Sequence, residues 1–170
     1  EFIWGKGIRI SPEAPVPVVW VDSENFMPGG ASNVASNIRS LGGEVTLIGV
    51  VGEDARGETL RSLLRTQGVD CDGVFTDSAR PTTQKTRVIA HHQQVVRIDR
   101  EKILPLQEAT LEKIIGFVKE RLQKMDAVIL EDYGKGVIVP KLGQKIVQLA
   151  KRSGKVITVE LTVRNSGRVA

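Results

Sequence analysis

Between Glu44 and Val51 the chain has hardly a polar position: Val45, Leu47, Ile48, Val50 and Val51 are interrupted only by Thr46 and Gly49. A strand apolar on both of its alternating sets has no face to give to water, which points to a parallel sheet covered on both sides. Parallel neighbours require long crossovers, usually helices. The flanking sequence supplies them. Val34, Ala35, Ile38 and Leu41 recur at helical spacing from about Ser32 to Ser40, and Gly42-Gly43 ends the run. After Gly52-Glu53-Asp54 a second helix, about Ala55 to Gln67, carries Leu60, Leu63 and Leu64 and stops at Gly68.

The pattern returns further on. Gln107 to Met125 reads as an amphipathic helix with Leu111, Ile114, Ile115, Val118 and Leu122 on one side. Ala127 to Leu130 is a second buried strand, Pro140 opens a helix to about Arg152, and Lys155 to Val159 is a third strand. Between these halves lie β-type segments, Val74 to Thr76, Thr83 to Ala90 and Gln94 to Asp99, the last two joined through His91-His92-Gln93. Ile8 to Ile10 and Val16 to Val21 are short extended pieces that Pro12, Pro15 and Pro17 confine to edges or turns. The expected fold is α/β: a doubly wound, mainly parallel sheet with a small β lid.

Size and charge narrow the function classes. At 170 residues one domain with a real core is expected, and 41% hydrophobic against 26% charged residues fits a soluble protein. No apolar run nears the roughly 20 residues of a membrane span, so no membrane partner is expected. The single cysteine, Cys71, reads as structural and suits a reducing cytoplasm. The net charge of +4 raises nucleic acid as a ligand, but the basic residues alternate with acids and aromatics make up only 4%. A small phosphorylated ligand fits this balance better.

Three places carry chemistry. Pro28-Gly29-Gly30-Ala31-Ser32-Asn33 runs straight into a helix, so a ligand can approach the backbone of Gly29 and Gly30 and the N–H groups of the first turn. The plainer reading is an ordinary helix capped by Ser32 or Asn33. Gly52-Glu53-Asp54 and Asp132-Tyr133-Gly134-Lys135-Gly136 follow strands, where open α/β sheets gather ligands. Lys135 suits a phosphate and Asp132 suits sugar hydroxyls, against the plainer reading of a solvated turn with an incidental ion pair. The hairpin is polar on one side, with Gln84, Lys85, Arg87, Gln93, Arg97 and Asp99, either a lid surface for a sugar phosphate or a solvated face. His91 and His92 would point to opposite faces of a strand and receive no metal or catalytic role.

Together these residues resemble the ribokinase-like, or phosphofructokinase B, sugar kinases. The likeness rests on Phe2-Ile3-Trp4-Gly5, on Arg9 to Val18, on Pro28 to Ala35, on Thr83 to Arg87, on Gln93 to Asp99 and on Asp132 to Gly136. Within the family, the Ile10-Ser11-Pro12-Glu13-Ala14-Pro15-Val16-Pro17 string is similar to the branch acting on heptose 7-phosphate. The resemblance implies transfer of the ATP γ-phosphoryl group, with Mg2+, to the anomeric hydroxyl of that sugar, in the cytoplasm, for ADP-heptose and lipopolysaccharide core synthesis. Another phosphosugar kinase, or a non-catalytic sugar-phosphate or dimerisation module, are the alternatives.

The resemblance further implies a sugar site lined by Gly29, Gly30 and Asn33, and a lid from about residues 6–27 and 83–99 over a core of 28–82 and 100–159. It implies a homodimer formed through that lid. Lys85, Arg87, Arg97 and Lys135 are the expected holders of the substrate's phosphate. The family's glycine-alanine-glycine-aspartate motif, which carries the general base, has no counterpart in the sequence. Nor has the adenine-binding half or the first core strand, Glu160-Leu161 stands where relatives read Asp-Pro, and residues 160–170 match nothing. The chain is therefore expected to be the substrate half of such a kinase, without activity of its own.

Overall fold

The computed structural model describes residues 1–161. Two strands, β1 (Phe2–Ile10) and β2 (Pro17–Asn25), precede helix α1 (Ala31–Ser40). Then come β3 (Thr46–Val51), α2 (Ala55–Thr66), β4 (Asp70–Thr76), β5 (Gln84–Ala90) and β6 (Gln93–Arg100). The chain continues through α3 (Glu108–Arg121), a 3-10 turn at Leu122–Lys124, β7 (Ala127–Asp132), α4 (Pro140–Arg152) and β8 (Val156–Leu161).

Strands β3 and β4 pair in parallel, as do β7 and β8. The apolar run of β3 is divided between two clusters, which is why it needs no polar face. Val51 joins Ala35, Leu64, Val69, Cys71 and Val74, with Val45 and Leu47 beside them, under α1 and α2. Ile48, Val50 and Phe75 pack instead against Leu111, Ile114, Ile115 and Val118 of α3. The same cluster takes in Leu130 of β7 and Leu142 and Ile146 of α4, so α3 covers both strand pairs. The helices thus lie on both faces, as expected. The ladder differs: among the described residues it is two separate parallel pairs rather than one sheet.

The lid is a four-stranded sheet in the order β2-β1-β5-β6. β1 is antiparallel to β2 and parallel to β5, and β5 and β6 form the antiparallel hairpin. Both N-terminal strands are longer than the prolines suggest; β2 lies at the sheet edge as expected, but β1 is central. Pro12 and Pro15 fall in the connection closed by Ser11 N–H donating to the Val16 carbonyl, 2.8 Å, and Pro17 is the first residue of β2. β1 therefore has no proline in its nine residues and can pair on both sides. His91 and His92 form the hairpin turn, with His91 at φ 59° and its Nε2 3.2 Å from the Gly7 carbonyl.

Local chemistry sets the helix ends. Asp54 caps α2, its carboxylate accepting from Gly57 N–H at 2.9 Å. Gly68 follows the helix at φ 76°, the left-handed conformation that suits glycine. Helix α1 departs from expectation: Gly30 is its N-cap and no side chain caps it. Ser32 and Asn33 lie inside the helix rather than before it, so neither is placed to cap.

Candidate functional site

The glycine turn has an unusual backbone. Gly30 sits at φ 54°, ψ −136°, conformational space that side chains rarely enter. The N–H groups of Ser32 and Asn33 donate to the carbonyls of Gly29 and Gly30, at 3.2 and 3.0 Å. Those donors are therefore occupied within the turn, and what the turn offers a ligand is open backbone. A Cβ at Gly29 would meet nothing within 4 Å, whereas one at Gly30 would stand 3.3 Å from the Tyr133 ring. Asn33 is exposed on the first turn of α1. The two glycine-bearing motifs, far apart in sequence, are thereby brought against each other.

The loop after β7 is held from inside. Asp132 is 3% exposed, and its Oδ1 accepts from Gly134 N–H at 2.8 Å. Its Oδ2 is shut off from solvent and has no hydrogen-bond partner among the described residues. Gly136, at φ 82°, lies so close to the next segment that a Cβ would fall 2.1 Å from the Leu104 carbonyl oxygen. Only glycine passes there. Asp132 and Lys135 do not pair with each other: Lys135 Nζ lies 2.6 Å from Glu101 Oε2. The loop is thus neither a free solvated turn nor the seat of the ion pair that its spacing suggested.

Glu101 ties this loop to the lid. Lys85 Nζ approaches the same Oε2 at 3.9 Å and bonds Asp99 Oδ2 at 2.7 Å. Arg97 grips Asp99 from the other side, at 2.9 and 3.2 Å. The hydrogen bond from Lys85, reinforced by that from Arg97, holds the Asp99 carboxyl below its ordinary range. Lys85 and Arg87 are two residues apart on β5, opposite Asp99 and Arg97 on β6, so all four lie on one face. Arg87 leans over the Phe2 ring, 5.4 Å from its centroid. Gln84 points the other way and, with Thr86 and Arg56, holds the buried Glu1 carboxylate.

A second group, with no signal in the sequence, braces this assembly. Arg80 Nε donates to Asp77 Oδ2 at 2.8 Å, and both side chains are about 95% enclosed, with 6% and 5% exposed. The same guanidinium donates to the Pro105 carbonyl at 3.2 Å and to the Lys135 carbonyl at 3.4 Å. Asp77 accepts from Ala79 N–H, and this bond, with Arg80 and against burial, lowers its pKa. The Gly52–Asp54 segment is consumed in similar fashion: Gly52 N–H donates to Thr82 Oγ1 and Thr82 N–H to Asp54 Oδ2, at 2.9 and 2.8 Å. These bonds anchor the entry to the lid and occupy Gly52 N–H and the Asp54 carboxylate. Cys71 is buried beside Val69, and burial pushes its thiol up, consistent with an inert core residue.

One acidic pair flanks the site. Glu131 and Glu160 are register partners at the carboxyl ends of β7 and β8. Burial first, and then the Glu160 charge, raise the pKa of Glu131, and burial together with Glu131 raises that of Tyr133.

Parallel strand pairs under helices on both faces and a β lid are the fold, and a glycine turn set against a lysine loop is the candidate site. The chain belongs to the pfkB family of carbohydrate kinases, whose family model matches residues 8–167. That match runs past residue 159, where the likeness read from the sequence stops. Among curated relatives, the bifunctional protein HldE of Helicobacter pylori strain J99 is 47% identical over 156 residues, 92% of this chain. HldE of Wolinella succinogenes is 47% identical over 160 residues, 94% of this chain. The chain spans about a third of the length of these relatives, 34% in each case.

Solved structures agree on the fold. Escherichia coli phosphofructokinase-2 in complex with potassium superposes with a TM-score of 0.65 at 24% identity, over 99% of this chain and 52% of that one. Arabidopsis thaliana ribokinase complexed with ribose and ATP gives 0.64 at 16% identity, over 93% and 48%. The chain therefore accounts for about half of a ribokinase-like fold. Among the described residues no helix is long and apolar enough to cross a membrane.

Proposed function

We propose that this chain supplies the sugar-binding floor and lid of a kinase that phosphorylates heptose 7-phosphate at its anomeric hydroxyl. The observation that carries the reading is the meeting of Lys85, from the lid, and Lys135, from the core, at one carboxylate oxygen. Two ammonium groups 2.6 and 3.9 Å from a single anionic atom form a position that suits a phosphate. Gly29 and Gly30 give the sugar an open backbone to lie on, and the exposed Asn33 offers polar groups for its hydroxyls, while the enclosed Asp132 holds the shape of the loop beside them. Arg97 and Arg87 extend the positive face of the lid toward the same phosphate. The similarity to the HldE proteins and the Ser11 to Val18 string favour a heptose over other phosphosugars.

ATP is the phosphoryl donor in this reading, with Mg2+ beside it. The described residues contain no group of three or more His, Cys, Asp or Glu able to hold a metal ion, and the general-base motif has no counterpart in the sequence. The described residues therefore do not fit the donor side of the reaction. What they perform is binding, orientation and exclusion of water, which make up much of phosphoryl-transfer catalysis. The reading includes a cytoplasmic homodimer joined through the lid, where Trp20 is 62% and Val96 46% exposed.

Calorimetric titration tests the substrate assignment. Heptose 7-phosphate should bind, unphosphorylated heptose should bind at least about tenfold more weakly, and Lys85→Met and Lys135→Met should each remove most of that difference. Equal affinity for the two sugars would overturn the proposal.

A further inference from the structure

Glu101 supplies the carboxylate oxygen on which Lys85 and Lys135 converge, yet sugar binding gives it no role of its own. Its Oε2 is inaccessible to solvent and lies off the directions of a formed hydrogen bond to any described donor, although Lys135 Nζ is 2.6 Å away. An enclosed carboxylate oxygen with a charge partner but no well-directed hydrogen bond is an imperfect occupant. A phosphate offers more acceptor oxygens and a second negative charge in the same space.

We infer that Glu101 is a resident carboxylate that holds the anion position between Lys85 and Lys135 and surrenders it to the phosphate of the incoming sugar. The inference rests on the assignment of these lysines to the substrate phosphate. Three features of the molecule support the exchange. Glu101 follows β6 at the start of a connection that belongs to no helix or strand, so its side chain can leave without breaking a ladder. The Lys135 backbone is fixed independently, through its carbonyl to the buried Arg80, so the loop stays in place when the carboxylate departs. Lys85 retains Asp99 at 2.7 Å whether or not Glu101 remains.

The exchange has consequences for specificity. A carboxylate attached to the same chain competes at high effective concentration, so weak anions are kept out of the closed pair. The apparent affinity for phosphate is reduced by the fraction of molecules in which Glu101 occupies the position. Glu101 also spans lid and core in the empty molecule, linking β5 to the loop after β7, and the substrate phosphate would take over that link.

The test is a titration with inorganic phosphate, followed through the protein's amide NMR shifts, on wild-type protein, Glu101→Gln and Lys135→Met. Glu101→Gln keeps the shape of the side chain, and thermal unfolding checks that it folds. It should bind phosphate roughly fivefold more tightly than wild type, since one partly buried ion-pair partner is no longer competing. Unchanged or weaker binding by Glu101→Gln, with Lys135→Met still weakened, overturns the role of Glu101 alone. Phosphate binding unaffected by Lys135→Met overturns the lysine assignment itself. A measurement on the unmodified protein adds an independent check: saturating phosphate should speed amide hydrogen exchange around residues 101–104. Unchanged or slower exchange there overturns the proposal.

Discussion

The Tyr133 ring lies 3.3 Å from where a Cβ on Gly30 would stand, so the glycine turn before α1 and the loop after β7 form one surface. Gly30 answers two demands at once, a backbone at φ 54° and an aromatic ring pressed against it. Gly29 answers neither, having open space around it. Gly30→Ala should therefore destabilise the protein by about 1–3 kcal/mol and weaken sugar binding. Gly29→Ala should stay within about 0.5 kcal/mol of wild type. Urea unfolding of the two variants side by side checks the contrast, and equal losses would contradict it.

The buried Asp77–Arg80 pair is expected to matter more than any surface ion pair. Asp77→Ala leaves an enclosed guanidinium unpaired and should cost about 3–5 kcal/mol. Lys141, paired with Glu108 on the surface of α4, is the comparison: Lys141→Ala should cost less than about 1 kcal/mol. Denaturant midpoints read both, and a small effect at Asp77 would show that the brace is dispensable.

Opposite pH dependences should be separable at two carboxyls. Burial, with Glu160 beside it, raises the folded-state pKa of Glu131, so the unfolded chain ionises first as pH rises. Stability is then lost as pH climbs from the ordinary glutamate value through the raised one. Glu131→Gln should raise the melting temperature at neutral pH and leave it unchanged in acid. Asp77 behaves in reverse. Its pKa is lowered by the Ala79 N–H and by Arg80, so its contribution is present above the ordinary aspartate value and disappears as pH falls through the lowered one. Melting curves between acid and neutral pH would expose a wrong sign at either site.

Ile114, 1% exposed, lies where α3 meets both strand pairs. Ile114→Ala should cost about 2–5 kcal/mol through lost burial and the cavity left behind. Leu41, 89% exposed, should tolerate the same truncation within about 0.5 kcal/mol.

The proposed lid dimer predicts a change of mass. Val96→Arg places a charge on the exposed face of β6 without touching the buried clusters. Sedimentation equilibrium should shift from dimer toward monomer, with the thermal midpoint nearly unchanged. A wild-type protein that is already monomeric at micromolar concentration would remove the lid dimer from the reading.

Much of the architecture was readable in residue order. The apolar run of β3 demanded two covered faces, and α1 with α2 on one side and α3 on the other provide them. The apolar stripe expected for α3 is buried throughout, with Leu111, Ile114, Ile115 and Val118 on the helix and Leu122 in the 3-10 turn that ends it short of Met125. Prolines misled at the N-terminus, because their restriction acts only at the residues they occupy, and β1 contains none. Ser32 and Asn33 have the residue types of caps, but the chain enters α1 two to three residues earlier, through Gly30.

The site divides along the same line. Spacing and residue type alone marked the glycine turn, the Asp132 to Gly136 loop and the basic hairpin, because backbone freedom and charge are properties of local sequence. Which of these meet was decided by the tertiary structure. Lys135 bypasses Asp132, three residues away, for Glu101, and Lys85 joins it from another sheet. Arg80 and Asp77 carry no motif and became important only once folding excluded water from them. Pairing between distant charges depends on distance and burial in three dimensions, and neither is written in the order of the residues.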